Sequence, residues 1–234
     1  MSGTRRPLPV KEAIPLNRLG KAMAKGMKAS VETLALSQVS RELDLTSLQA
    51  LRRAKSTAGQ KFSLNTLLMA AVARTLPCHK LLNAQLVENE VVVYAPINLG
   101  MAVATPLGLI VVVIQEADQL NLDALGKRID LLVERARLGK LELPDIEGGT
   151  FTVSNLGMYG VDSGFALPRP PESAVLLLGA VRPRPALVDG AFAARETCWA
   201  AVTYDHRFID GAIAGAFLQD LNSLLGEPER LLAK

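Results

Sequence analysis

Apolar and polar positions along the chain fall into two rhythms, one near 3.6 residues and one of short β-branched runs. Leu19, Met23 and Met27 recur at four-residue steps with lysines between them, which predicts an amphipathic helix over 16–27. Leu34, Leu36, Val39, Leu43 and Leu45 alternate loosely with polar neighbours and predict a strand within 33–45. Thr46 stands as the cap of a helix to residue 54, and Ser63 as the cap of an almost wholly apolar, buried helix to residue 76. Residues 90–96 read as a short strand, and 98–114, folded about Pro106-Leu107-Gly108, as a hairpin through the core. A charged amphipathic helix follows over 121–138, ended by Gly139, and 144–149 is a loop. Phe151-Thr152-Val153-Ser154 is a strand that stops at Asn155-Leu156-Gly157, and the glycines and prolines of 158–173 predict an irregular segment. Residues 174–181 form a buried strand, Asp189-Gly190 a turn, and 198–203 a last strand. Ile213, Ala216, Phe217, Leu221, Leu224 and Leu225 then mark one face of a closing helix.

Residues 1–14, with Pro7 and Pro9 among basic residues, read as an extended arm ahead of a single domain over 15–234. There are no repeats and no strict βαβ rhythm. The expected class is therefore α/β in the α+β sense, a mixed sheet covered by helices, and not a Rossmann-type sheet.

Composition narrows the function. With 234 residues the chain can bury a substantial core, and its 49% hydrophobic residues include no run near the ~20 that a membrane helix needs. The net charge of +3 is small and evenly spread. Its densest basic points, Arg5-Arg6 and Lys21, Lys25 and Lys28, read as solvated faces, so neither nucleic acid nor membrane is an expected partner. Cys78 and Cys198 lie far apart without a CxxC, which argues against a disulfide framework or zinc site, and no metal is expected. The N-terminus has no signal-peptide core. The expected compartment is the cytoplasm, or an organelle matrix if a presequence has been removed.

The candidate chemistry lies in Tyr204-Asp205-His206-Arg207-Phe208-Ile209-Asp210-Gly211, between the last strand and the last helix, with Asp210 at the helix N-cap. Of the two histidines, His79 and His206, only His206 occupies such a corner. An imidazole with an ordinary pKa near 6.5 can take a proton from a thiol or alcohol, provided hydrogen-bond donors meet the charge that develops. Ser154, ending a strand beside a glycine-punctuated loop, is a candidate donor. On spacing alone, a histidine in this setting is more often structural and such a serine more often part of a turn.

The same corner resembles the DHRxxDG signature of the dihydrolipoamide acyltransferase (E2) catalytic domain of 2-oxoacid dehydrogenase complexes. Further segments resemble that family in the same order. They are the opening helix from Pro15-Leu16 to Met27, residues 98–109 (NLGMAVATPLGL), 136–141 (ARLGKL), 148–157 (GGTFTVSNLG) and 226–232 (GEPERLL). The resemblance implies a chloramphenicol-acetyltransferase-like two-layer sandwich assembled as a homotrimer, in some members built into a 24-mer or larger shell. It implies acyl transfer between dihydrolipoyl and coenzyme A thiols, with His206 as general base and Ser154 of the neighbouring subunit on the tetrahedral oxyanion. Asp210 would hold the corner and a basic partner, with Arg207, Gly211 and Asn155 supporting the site. No lipoyl or peripheral-subunit-binding domain is recognisable, so the lipoyl group would ride on another domain or chain, with E1 and E3 components as further partners.

The departures are specific. The opening helix has Gly20 and Gly26 where the family usually has arginines, and Ala35-Leu36 stand near the family's PH(V/F)T histidine. Ala104 and Val112 replace an aspartate and a proline, and Arg169 replaces the asparagine before Pro-Pro. An arginine at 169 reads as a binder of a phosphate, of coenzyme A or of a carrier arm, or as a surface side chain. Two other functions stay open: transfer to a carrier-protein thiol or small-molecule acceptor, and a non-catalytic assembly core.

Overall fold

The computed structural model describes residues 8–106, 108–188 and 190–232. Residues 8–17 are exposed and have no regular structure. The elements that follow are α1 (Arg18–Thr33), β1 (Leu36–Asp44), α2 (Thr46–Thr57), α3 (Leu64–Thr75), β2 (Ala84–Val87), β3 (Glu90–Val93), β4 (Leu99–Thr105), β5 (Gly108–Ile114), α4 (Leu122–Leu138), β6 (Phe151–Asn155), β7 (Ala174–Leu178), β8 (Arg182–Val188), β9 (Ala191–Asp205) and α5 (Gly211–Gly226).

Seven strands form one sheet in the order β1-β9-β7-β6-β4-β5, with β8 beside β9, while β2 and β3 form a separate hairpin. The β4–β6 and β6–β7 pairings are parallel and the others antiparallel, as a mixed sheet requires. Alternation along each strand divides the faces. Phe151, Val153, Leu176, Leu178, Ala200 and Val202 point to one side and join the apolar stripes of α3, α4 and α5 in a single core. There the rings of Phe151 and Phe217 lie 5.7 Å apart. Burying each such side chain contributes about 1.5–3 kcal/mol. Thr152, Ser154, Val175 and Leu177 point to the opposite side, towards α1 and the segment after residue 163.

The helix caps follow the sequence. Ser63 Oγ accepts from Thr66 N at 2.9 Å and Asn121 Oδ1 from Ala124 N at 2.9 Å, and Gly139 closes α4 with φ 65°. Thr46 differs from its expected role. It is the first residue of α2, its N–H donates to Asp44 Oδ1 at 2.9 Å, and its hydroxyl accepts from Glu196 N. The opening helix runs on to Thr33, beyond the expected end at residue 27. The strand expected over 90–96 ends at Val93 and pairs with β2, which the pattern did not announce. β8 was likewise not expected, and β9 begins seven residues earlier than residue 198. Leu107 and Asp189, in the two expected turns, lie outside the described residues, as does Arg5-Arg6. Among the described residues no helix is long and apolar enough to cross a membrane.

Candidate active site

The corner after β9 is held mainly through backbone. Asp205 is fully buried and accepts from Ala35 N and Arg207 N, both at 3.2 Å. Its two carboxylate oxygens receive Arg207 Nε at 2.9 and 3.0 Å and Nη2 at 2.6 Å. Such forked, charge-assisted bonds fix both groups. His206 N donates to Ala35 O at 2.7 Å, so one residue ahead of β1 clamps both Asp205 and His206. The His206 ring packs beside Tyr204, 5.6 Å between centroids, and remains exposed. Its backbone is pinned while its imidazole faces outward.

Asp210 caps α5 as expected, accepting from Ile213 N at 2.9 Å. Among the described residues it has no basic partner; the corner's arginine, Arg207, is paired with Asp205 instead. A Cβ on Gly211 would make only ordinary contacts, 3.6 Å from the Tyr204 hydroxyl, so packing within one chain does not demand glycine there.

Ser154 lies elsewhere. It sits opposite Leu177 of β7, which sits opposite Ala201 of β9, and His206 is five residues beyond Ala201. The two groups are thus separated by roughly 17 Å along the strands and roughly 10 Å across them. They cannot act on one carbonyl within one chain. Ser154 lines a cavity of about 450 Å³ with Met23, Gly26 and Met27 of α1, Leu177 and Arg169. Asn155 points away, accepting from Gly157 N at 2.9 Å and reaching Asn65 at 3.4 Å, and so secures the end of β6. A cavity of about 620 Å³ lies by Asn65, Arg137 and Cys198 and contains neither Ser154 nor His206. Burial pushes the Cys198 thiol up to about 12, which leaves it inert as a nucleophile.

Behind Arg169 is Glu172, fully buried, with Oε1 3.5 Å from Arg169 Nη2 and, among the described residues, Oε2 without a hydrogen-bond partner. Burial raises its carboxyl to about 7, with Thr152 and Arg169 pulling the other way. Since this lies above the ordinary value of 4.5, the folded chain binds the extra proton. The associated stability is fully present below pH ~4.5 and is lost as pH rises through ~7. Glu172→Gln removes that titration. Urea denaturation should show the variant gaining on wild type by up to about 2.5 kcal/mol between pH 5 and pH 8.5. An equal difference at both pH values would show that Glu172 does not titrate in this range.

Three of the groups that build this region were given no role by the sequence. Ala35 acts through its backbone and leaves no side-chain signal. Asp205 was visible only as part of the signature, and Glu172 only as a polar residue before a buried strand.

Residues 9–233 match the family described as 2-oxoacid dehydrogenases acyltransferase (catalytic domain). The chain belongs to this family. A curated relative of this acyltransferase domain is the dihydrolipoyllysine-residue succinyltransferase component of 2-oxoglutarate dehydrogenase complex 1, mitochondrial, of Arabidopsis thaliana. It is 34% identical over 224 residues, 94% of this chain and 48% of that protein. The chain spans about half the length of the curated relatives it matches. Among solved structures, the dihydrolipoamide acetyltransferase of Azotobacter vinelandii is 31% identical with a TM-score of 0.89, covering 97% of this chain and 99% of that one. That work concerned the roles of a serine, a histidine and an asparagine in its catalytic mechanism. The cubic core of the pyruvate dehydrogenase multienzyme complex is 30% identical, also with a TM-score of 0.89, over 97% and 99% of the two chains. Chloramphenicol acetyltransferase, 14% identical with a TM-score of 0.57 over 86% and 94%, shares the fold, so the architecture expected for this acyltransferase domain is the one observed.

Proposed function

We propose that this chain moves an acyl group between dihydrolipoyl and coenzyme A thiols, at a site divided between two subunits of a homotrimer. The observation that carries this reading is the separation of Ser154 from His206 across the sheet, with His206 exposed and Ser154 in a cavity. The spacing of the serine, histidine and asparagine studied in the A. vinelandii enzyme, 52 and 4 residues, is also that of Ser154, His206 and Asp210.

His206 takes the proton of the incoming thiol as its sulfur attacks the thioester carbonyl. The oxygen of the resulting tetrahedral intermediate gains negative charge and accepts a hydrogen bond from Ser154 of the neighbouring subunit. Collapse expels the first thiolate, which recovers the proton from the imidazolium, so the exchange is reversible and needs no metal. Asp205 and Arg207 hold the backbone from which His206 projects, and Asp210 holds the start of α5. The lipoyl group arrives on another domain or chain, and E1 and E3 components complete the complex. The cubic-core relative supports assembly of trimers into a larger shell.

Mixed trimers test the shared site. Chains carrying His206→Ala and chains carrying Ser154→Ala each keep about 1% of the activity or less at neutral pH, but unfolded and refolded together they form interfaces with one intact half from each. Random mixing restores about a quarter of the sites of the wild type, as heterologous contacts in a closed ring require. Mixed trimers that stay as inactive as the parents would refute the divided site.

A further inference from the structure

The even spread of charge expected along the chain does not hold for α1. Arg18, Lys21, Lys25 and Lys28 stand there against Glu32 alone, so this helix of 16 residues carries a net +3, the net charge of the whole chain. All other residues taken together are neutral. The four cations recur at three- and four-residue steps and therefore share one side of the helix, over roughly 15 Å of its length. All four are exposed. Lys28 reaches Glu32 at 3.5 Å, and among the described residues Arg18, Lys21 and Lys25 have no acidic partner. The opposite side of the same helix, Leu19, Ala22, Met23, Gly26 and Met27, lines the cavity that holds Ser154.

This row works against the helix that carries it. Arg18 with Lys21, Lys21 with Lys25, and Lys25 with Lys28 are like-charge neighbours one turn apart, and each such pair weakens a helix. The first turn holds no acidic residue, and Arg18 stands at its head, where the macrodipole disfavours a cation. Ser30 is the one fully buried residue of α1, so burial offsets little of this. The compensation the row is suited to comes from outside the chain. None of the four cations lines the cavity, so a group held inside it does not meet them. A body that stands outside and passes a thiol arm beneath α1 does. Four like charges over roughly 15 Å match the surface of a folded domain better than a single small anion. Their sign selects an acidic domain, and complementary potentials of this kind raise encounter rates by about 10–10³-fold.

We propose that the basic row of α1 is the docking surface for an acidic carrier domain, which delivers its dihydrolipoyl arm past α1 into the cavity of the same subunit. This rests on the reading of the lipoyl group as arriving on another domain or chain. The test compares two acceptors with the assembled protein: a reduced lipoylated domain rich in Asp and Glu, and free dihydrolipoamide. The donor, at saturation, is acetyl-CoA or succinyl-CoA, whichever is turned over faster with free dihydrolipoamide. Between about 20 mM and about 300 mM salt, kcat/KM for the domain falls about tenfold, while that for free dihydrolipoamide changes less than about twofold. Lys21→Glu combined with Lys25→Glu lowers kcat/KM for the domain by about tenfold at low salt and leaves free dihydrolipoamide unchanged. Both positions are exposed, so the fold is not at stake. Lys21→Arg with Lys25→Arg keeps both rates, since charge rather than shape is read. Equal salt dependence with the two acceptors overturns the proposal. So does an equal loss with both in the glutamate variant, which would place the row on the acyl-CoA, or an acidic domain served no better than its Asn and Gln counterpart. Binding of wild type to vesicles of mixed neutral and anionic phospholipid, with a carrier rate blind to salt, would assign the row to a membrane surface instead. The underlying reading fails separately, if neither thioester gives transfer to free dihydrolipoamide, and the docking role falls with it.

Discussion

His206→Ala lowers kcat for acyl transfer from acyl-CoA to dihydrolipoamide by about 10²–10⁴-fold, the range that a positioned general base supplies. The oligomer is unchanged in sedimentation. The reason for the second half lies in what His206 contributes to the fold. Its N–H donates to Ala35 O, a bond that alanine retains, and its ring is exposed beside Tyr204. The residual activity has its own signature. Without a base, attack depends on thiolate already present, and an ordinary thiol titrates near pH 8.5. The variant's rate therefore rises close to tenfold per pH unit up to that point, approaching wild type in alkaline buffer. A variant with full activity at pH 7 would remove His206 from the mechanism.

Ser154→Ala costs about 10²–10³ in kcat, or about 2.7–4 kcal/mol of barrier, with KM little changed, because the oxyanion it meets exists only after attack. Stability should move by no more than about 0.5 kcal/mol. Ser154 is half-buried on a cavity wall, and among the described residues its hydroxyl has no partner whose loss would be felt. The pH-rate profile keeps its shape, in contrast to that of His206→Ala, because proton transfer is untouched. A loss divided equally between KM and kcat would place Ser154 in ground-state binding instead.

The corner itself was legible in the sequence because strand, signature and capped helix are local. Val202 and its neighbours announce the strand, and Asp210 stands three residues before the Ile213 N–H that it accepts. Ser63, Asn121 and Gly139 were readable for the same reason. Thr46 was misplaced because the carboxylate serving its N–H, Asp44, lies two residues earlier in a strand. β8 was hidden by Pro183 and Pro185, which break an expected strand yet sit without cost on an edge that pairs with β9 alone. The distance between Ser154 and His206 was not legible at all. It depends on two non-local registers, β6 with β7 and β7 with β9, and on which face of β6 meets α1.

On the proposed shared site, a sheet that keeps Ser154 and His206 apart would make each chain half a catalyst, and the unit of activity would be the contact and not the polypeptide. A linear string of three subunits would have two complete contacts; closing the ring adds a third without another chain. Newly made or dissociated chains would be inert towards thioesters, and activity per chain would fall with dilution once rings come apart. Turnover would then report assembly, and an unfinished particle would not consume acyl groups it cannot pass on.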